Sequence, residues 1–368
     1  MPRFSVLSLT GIFIVLSLAT AHASAAADAV LTLAEAERLA LERAPGLLRA
    51  RANVDAAAER AVYEGRLPDP QLTLGAINVP TDTYKLNRED MTMTMVGVRQ
   101  AFPPGDMLGA RTRRAEQELT REQARLETER RNLLRQVRQT WLELYYATQS
   151  LRVLETLRPL ARRDLEAAEA RYRAAQDMQR AVFRARQALA RIDEREPMLR
   201  AQAERSRAQL GRWIGAAARA PLPAALPLLS ALPDRFDPAR HPEWLAAEAE
   251  LGAMRAEVDM ARQDYKPGVM LDLQYGSRRP MPDGTERPDM VTAMVTFDLP
   301  LFRAKRQDRR LAERQAKEAA ARYETEDKRR ELESMYAAML AEHEAIEARV
   351  RVFEERLLPN IRRARVTE

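Results

Sequence analysis

The sequence predicts a mainly α protein with a small β component, on three observations. Long charged stretches carry apolar residues three, four and seven positions apart, the mark of a single helix face. Four short stretches alternate apolar and polar residues at period two, which suits a strand with two different faces and no helix. The order helix, strand, loop, strand, long helix then occurs twice along the chain.

Composition agrees with long helices. Of 368 residues, 31% are charged, 5% aromatic and only 13 are glycine, a balance that does not fill a thick globular core. Lys and Arg (60) exceed Asp and Glu (54) slightly, and the charges mix in runs such as "TREQARLETERRNLLRQVRQ". Such runs read as solvated helix surface; a nucleic-acid face would cluster one sign, so no nucleic-acid partner is expected. With no cysteine, disulfides and thiolate metal sites are excluded.

Residues 1–25 have one early basic residue, Arg3, and an apolar run from Val6 to Ala19. Small residues follow in A-x-A spacing at Ala21 and Ala23, and again at Ala23 and Ala25. This is a secretory signal peptide. No later apolar run is long enough for a spanning helix, so a membrane location would require a β-barrel.

The repeat fixes the order of the elements. "APGLLRARANVDAAAERAVYEGRLPDPQLTLGA" from Ala44 returns as "HPEWLAAEAELGAMRAEVDMARQDYKPGVMLDLQYG" from His241. Pro45 falls on Pro242, Pro70 on Pro267, Leu72 on Val269 and Leu74 on Leu271; at the same spacing Val98 meets Val295 and Pro103 meets Pro300. The first repeat occupies 26–216, with strands at about 71–79 and 91–101 and long helices at about 106–174 and 177–216. In the longer helix Val137, Trp141, Leu144, Leu151 and Leu154 form one narrow seam, which Pro159 is expected to interrupt with a kink. About 60 helical residues would span on the order of 90 Å, too long for a compact domain. A proline-rich connector covers 217–240.

The second repeat, 241–368, has strands at about 269–276 and 290–299 and then a helix with Pro359 near its end. Aligning Pro159 with Pro359 sets Glu368 opposite Ala168, so this repeat is expected to be incomplete, its return helix missing.

The second repeat also shows the strand faces. Val269, Leu271, Leu273 and Tyr275 alternate with Met270, Asp272, Gln274 and Gly276; Val291, Ala293, Val295 and Phe297 alternate with Thr292, Met294, Thr296 and Asp298. Apolar outward and polar inward is the transmembrane β-barrel pattern. Carried back through the repeat, this register puts Thr94, Val96 and Val98 toward lipid and Met91, Met93, Met95 and Arg99 toward a lumen. Thioethers at Met91, Met93, Met95 and Met294 there have two readings: contacts for a soft ion such as Cu(I) or Ag(I), or flexible filler. Filler is the expectation, since no histidine or cysteine accompanies them.

"VRQAFPPG" and "VTFDLPLF" at the strand-to-helix junctions, "WLELYYATQSL" in the long helix and the duplicated architecture resemble the TolC-like outer-membrane efflux proteins. The resemblance covers essentially the whole mature chain. It implies a homotrimer whose protomers each give four strands to a twelve-stranded β-barrel in the outer membrane, continued by a periplasmic α-helical barrel in a Gram-negative cell. It further implies a duct without catalysis or cofactor, docked to a periplasmic adaptor and an inner-membrane pump, expected to be of RND type. "NVPTDTYKLNREDMTMTMVGVRQAFPPGDMLG" and "QYGSRRPMPDGTERPDMVTAMVTFDLPLF" are most similar to the heavy-metal branch. The resemblance places adaptor docking at Tyr172, Arg173, Ala175, Gln176, Asp177 and Met178, and the lumen at Arg99, Asp272, Gln274, Thr296 and Asp298. The family's tip usually carries a glycine three residues after the tyrosine and then an aspartate; here Ala175 and Ala181 stand in those places, with Asp177 nearby.

An enzyme is not expected. Only His241 and His343 follow the signal, and the glycines of "PPG" and "PDG" make turns, with no phosphate cradle. The competing readings are a periplasmic coiled-coil structural or adaptor protein and the duct of a type I protein secretion system.

Overall fold

The chain starts its first helix with a cap. Thr32 Oγ1 accepts the Glu35 N–H at 3.1 Å, and α1 (Leu33–Arg43) then buries Leu33, Ala36, Leu39 and Ala40 along one stripe. The structure, a computed structural model, describes residues 30–228, 235–360 and 363; the signal-peptide expectation lies outside the described residues. Two compact units result, 1–48 with 129–231 and 49–128 with 232–368. They cut across the repeats because the sheet draws two strands from each.

In the first unit the core forms around the tryptophan of the long helix. Helix α2 (Pro45–Tyr63) begins in this unit with proline at its first position, where no donor is lost. Helix α3 (Met107–Arg173) contributes its later part, and α4 (Gln179–Ile214) returns along it. Val137, Trp141 and Leu144 are fully buried, and Trp141 Nε1 donates to the Leu31 carbonyl at 3.0 Å. Leu151 and Leu154 are only half-buried. The helix does not end at Pro159: α3 continues through it, and α4 likewise runs through Pro197. Arg158 bonds Asp193 at 3.1 Å and also Glu196, pinning the two helices together beside both prolines. Tertiary contact there offsets the hydrogen bond each proline removes.

The second unit holds a four-stranded sheet and a helix pair. The strands are β1 (Gln71–Ile77), β2 (Met93–Phe102), β3 (Gly268–Ser277) and β4 (Met290–Asp298), all antiparallel in the order β1-β2-β3-β4. Helix α5 (Pro242–Gln263) packs on α6 (Gln307–Val352), with Thr325 Oγ1 donating to the Ala247 carbonyl at 3.3 Å. Arg60 of α2 and Arg114 of α3 both bond Glu118. Burial pushes that carboxyl up, and the two guanidinium groups more than reverse it, so it lies below its ordinary range. A π-turn, Phe353–Leu357, precedes Pro359 and absorbs the ring's clash with the preceding turn. Among the described residues no helix is long and apolar enough to cross a membrane.

Candidate functional site

Strand pairing decides which side chains share a face. Arg99 pairs with Asp272, Gly97 with Gln274 and Met95 with Gly276 across β2 and β3; Asp272 pairs with Met294, Met270 with Thr296 and Gly268 with Asp298 across β3 and β4. Met93, Met95, Arg99, Asp272, Gln274, Met294, Thr296 and Asp298 therefore share one face. Leu72, Leu74, Thr94, Val96, Val98, Leu273, Tyr275, Val291, Val295 and Phe297 share the other, and every one of them is exposed.

The polar face has a feature that alternation alone does not show. All four strand glycines, Gly75, Gly97, Gly268 and Gly276, lie on it. A Cβ on Gly97 would come within 2.8 Å of Gln274 Cγ and 3.1 Å of the Leu273 carbonyl oxygen, and one on Gly276 within 2.5 Å of Met93 Sδ. On Gly75 it would lie 3.7 Å from Met95 Cγ, and on Gly268 3.2 Å from Asp298 Oδ2. Long side chains from neighbouring strands thus lie over the glycines, flat against the sheet.

At the middle of this face is an ion pair between the two repeats. Arg99 Nε and Nη2 donate to Asp272 Oδ2 at 2.9 and 2.7 Å, and Gln274 Nε2 donates to Asp272 Oδ1 at 2.9 Å. Asp272 is 5% exposed, so this donor set compensates the burial of its charge.

The methionines need one correction. Met91 is not in a strand; it lies in a turn and is 55% exposed. Asn78 adopts a left-handed φ of 52°, which ends β1 before residue 79. Its Nδ2 donates to the Met91 carbonyl at 3.2 Å, while Thr92 Oγ1 donates to the Asn78 carbonyl at 2.6 Å. The ladder therefore opens at Ile77 and Met93. Met93 is buried against Gly276, and Met290, which the sequence reading missed, also pairs with Gly276. Met294 is opposite Asp272, four residues along β3 from Gly276, or about 13 Å at strand rise. The thioethers do not converge on one point.

Beyond the strands, the two hairpin loops are tied by arginines absent from the sequence reading. Arg287 is 7% exposed; its Nη1 donates to the Glu89 carbonyl at 2.6 Å and its Nη2 to the Leu86 carbonyl at 3.2 Å. Arg278 Nη1 reaches the Asp90 carbonyl at 3.2 Å.

At the turn between α3 and α4, Ala175 has a φ of 56°. The Gln176 N–H reaches the Arg171 carbonyl at 2.9 Å and the Ala175 N–H the Tyr172 carbonyl at 3.0 Å. This is a Schellman cap, with alanine where glycine avoids a cost of about 1 kcal/mol. Tyr172, Arg173, Ala175, Gln176 and Met178 are exposed, and Asp177 Oδ1 accepts the Met178 N–H at 2.7 Å.

A helical hairpin and a sheet with one mostly apolar and one largely polar face suit a channel protein, and among the described residues there is no catalytic constellation. The outer membrane efflux protein family model matches residues 37–216 and 238–364, and the chain belongs to that family. It is an outer-membrane efflux channel of the kind that serves tripartite pumps, with a periplasmic helical portion, and not an enzyme. Among solved structures it is similar to CusC, described in work on folding and transmembrane channel formation (TM-score 0.76, 17% identity, covering 92% of this chain and 82% of that one). It is also similar to the outer membrane protein VceC of Vibrio cholerae (0.71, 18%, covering 88% and 81%) and to the open-state MtrE outer membrane channel of Neisseria gonorrhoeae (0.68, 18%, covering 91% and 78%). No curated protein matches it in sequence.

Proposed function

We propose that the chain is the exit duct of a heavy-metal efflux system, a homotrimer whose protomers each give four strands to a twelve-stranded outer-membrane barrel. The observation that carries the duct is the division of the sheet: an exposed apolar face toward lipid, and a flattened polar face toward the lumen. Residues 1–25 direct export, and 26–216 and 241–368 are two copies of one unit joined by 217–240. Arg99, Asp272, Gln274, Thr296 and Asp298 line the lumen, together with the flat methionines. Tyr172, Arg173, Ala175, Gln176, Asp177 and Met178 dock a periplasmic adaptor that couples the duct to an RND-type pump. The heavy-metal branch is supported by the resemblance of Asn78–Gly109 and Gln274–Phe302 to that branch.

The test is expression in a host that keeps a metal pump and adaptor but lacks its own duct. Trimers in the outer-membrane fraction and restored copper or silver tolerance are expected. Restored drug tolerance without metal tolerance would remove the heavy-metal branch; a soluble periplasmic product would remove the duct.

A further inference from the structure

From the junction between β4 and α6 we infer a surface for anionic phospholipid headgroups of the periplasmic leaflet, which rests on the outer-membrane duct described above. The apolar face of β4 does not stop with the strand. Leu299, Leu301 and Phe302 continue it as ordinary coil and are 65%, 74% and 79% exposed. Arg303, Lys305, Arg306 and Arg309 follow at once, all exposed, and none has a carboxylate partner among the described residues.

Two of the carboxylates nearby are already engaged. Asp308 accepts the Tyr265 hydroxyl, and Asp264 holds Arg310 at 2.6 Å. Among the described residues, the Arg303 side chain bonds the Pro300 carbonyl, at 3.2 Å, and lies over the Tyr265 ring, 5.9 Å from its centroid. Helix stability does not explain these cations either. They surround the positive end of α6, where the dipole disfavours them, and Arg306 at the cap position makes no side-chain capping bond.

The first repeat supplies an internal control. Its matching junction, Phe102 to Ala110, carries no cation, and the first is Arg111, inside α3. The basic cluster therefore belongs to one junction per protomer and is not a general feature of strand-to-helix turns. Exposed Leu and Phe side chains beside unpaired Arg and Lys match a bilayer boundary, apolar groups among acyl chains and cations at phosphate depth. The helices are periplasmic, so this is the phospholipid leaflet.

The experiment uses the full chain purified from outer membranes in mild detergent, with thermal stability of the trimer read against added phosphatidylglycerol, phosphatidylcholine or inorganic phosphate. Phosphatidylglycerol is expected to stabilise at a concentration roughly threefold or more below phosphatidylcholine, with high salt abolishing the difference. Changing Arg303→Gln, Lys305→Gln, Arg306→Gln and Arg309→Gln together should remove the preference, while lysine at the three arginines should keep it. If the quadruple variant does not accumulate, the lysine variant and the salt series on the unaltered chain decide. Equal response to both lipids, or an equal effect of phosphate alone, overturns the proposal. Loss of trimers in the quadruple variant without any headgroup preference in the parent would assign the cluster to contact between copies, and also overturns it. A parent chain outside the outer membrane would instead overturn the duct reading.

Discussion

Val295 and Thr296 are neighbours in β4, both exposed, yet they stand on opposite faces of the sheet and illustrate two different demands on one backbone. On the Val295 face most side chains are apolar and exposed, from Leu72 and Leu74 in β1 to Phe297 in β4, with Val269 and Leu271 half-buried. Leaving such a band in water would forfeit about 1.5–3 kcal/mol per side chain, which supports the proposal that this face meets hydrocarbon. The Thr296 face mixes polar side chains and glycines with methionines such as Met93, Met95 and Met294, and long side chains lie down over the glycines. In the proposed duct one face meets the medium and the other borders the passage, so a wall of this kind would need short residues as well as polar ones.

The largest effect expected from breaking this division is at Val295. An arginine there would stand toward lipid, at a cost of about 2–4 kcal/mol near the midplane, whereas an arginine at Thr296 would meet water. Val295→Arg should abolish trimers in outer-membrane extracts, and Thr296→Arg should leave their amount unchanged. Equal tolerance at the two positions would invert or erase the assignment of faces.

Removing the charge from Arg99 comes next. Arg99→Gln leaves buried Asp272 with only the Gln274 donor from a side chain, and losing charge-assisted bonds of this kind costs about 1.5–3 kcal/mol. The trimer's melting temperature should fall, and single-channel recordings should shift toward cation selectivity as the Asp272 charge stands unbalanced. Unchanged selectivity would place the pair away from the ion path.

Restoring a side chain to the flattened face should cost about 1–3 kcal/mol where backbone lies in the way. Gly97→Leu drives a Cβ to 3.1 Å from the Leu273 carbonyl oxygen, and its branch into the passage. Conductance should fall in this variant, while Ala293→Leu, toward lipid, should leave it unaltered. Equal conductance in the two would show that the glycines do not set the bore.

Much of this was legible in the sequence, for reasons tied to period. Alternation in Val269–Tyr275 and Val291–Phe297 gave both faces, and the repeat carried them to Thr94, Val96 and Val98 without slippage, because a one-residue shift would have turned every side chain over. The strand limits were less readable. Met91 keeps the parity of the strand, but the side-chain bonds of Asn78 and Thr92 close the loop there, and periodicity does not report such bonds. Pro159 does not end α3, which continues through it beside the Arg158 bonds to α4. The burial of Arg287 was invisible because its acceptors are backbone carbonyls, which no residue pattern encodes.

The smallest effect is expected at the methionines, and it is the sharpest question about the polar face. If Met91, Met93 and Met95 deliver soft metal ions along the duct, their sulfurs must be reachable from the passage and close to one another. Instead Met91 is in a turn outside the ladder, Met93 is 9% exposed with its sulfur against Gly276, and Met95 lies over Gly75. Leucine nearly matches methionine in volume and lacks the thioether, so the triple change Met91→Leu, Met93→Leu and Met95→Leu isolates the sulfur chemistry at a packing cost below about 1.5 kcal/mol. Copper and silver tolerance, in a host that depends on this chain for it, should stay at the parental level with trimer amounts unchanged. A clear loss of metal tolerance at normal trimer levels, with drug tolerance intact, would mean that the thioethers touch the cargo. The flat face would then be a binding surface as well as a clearance.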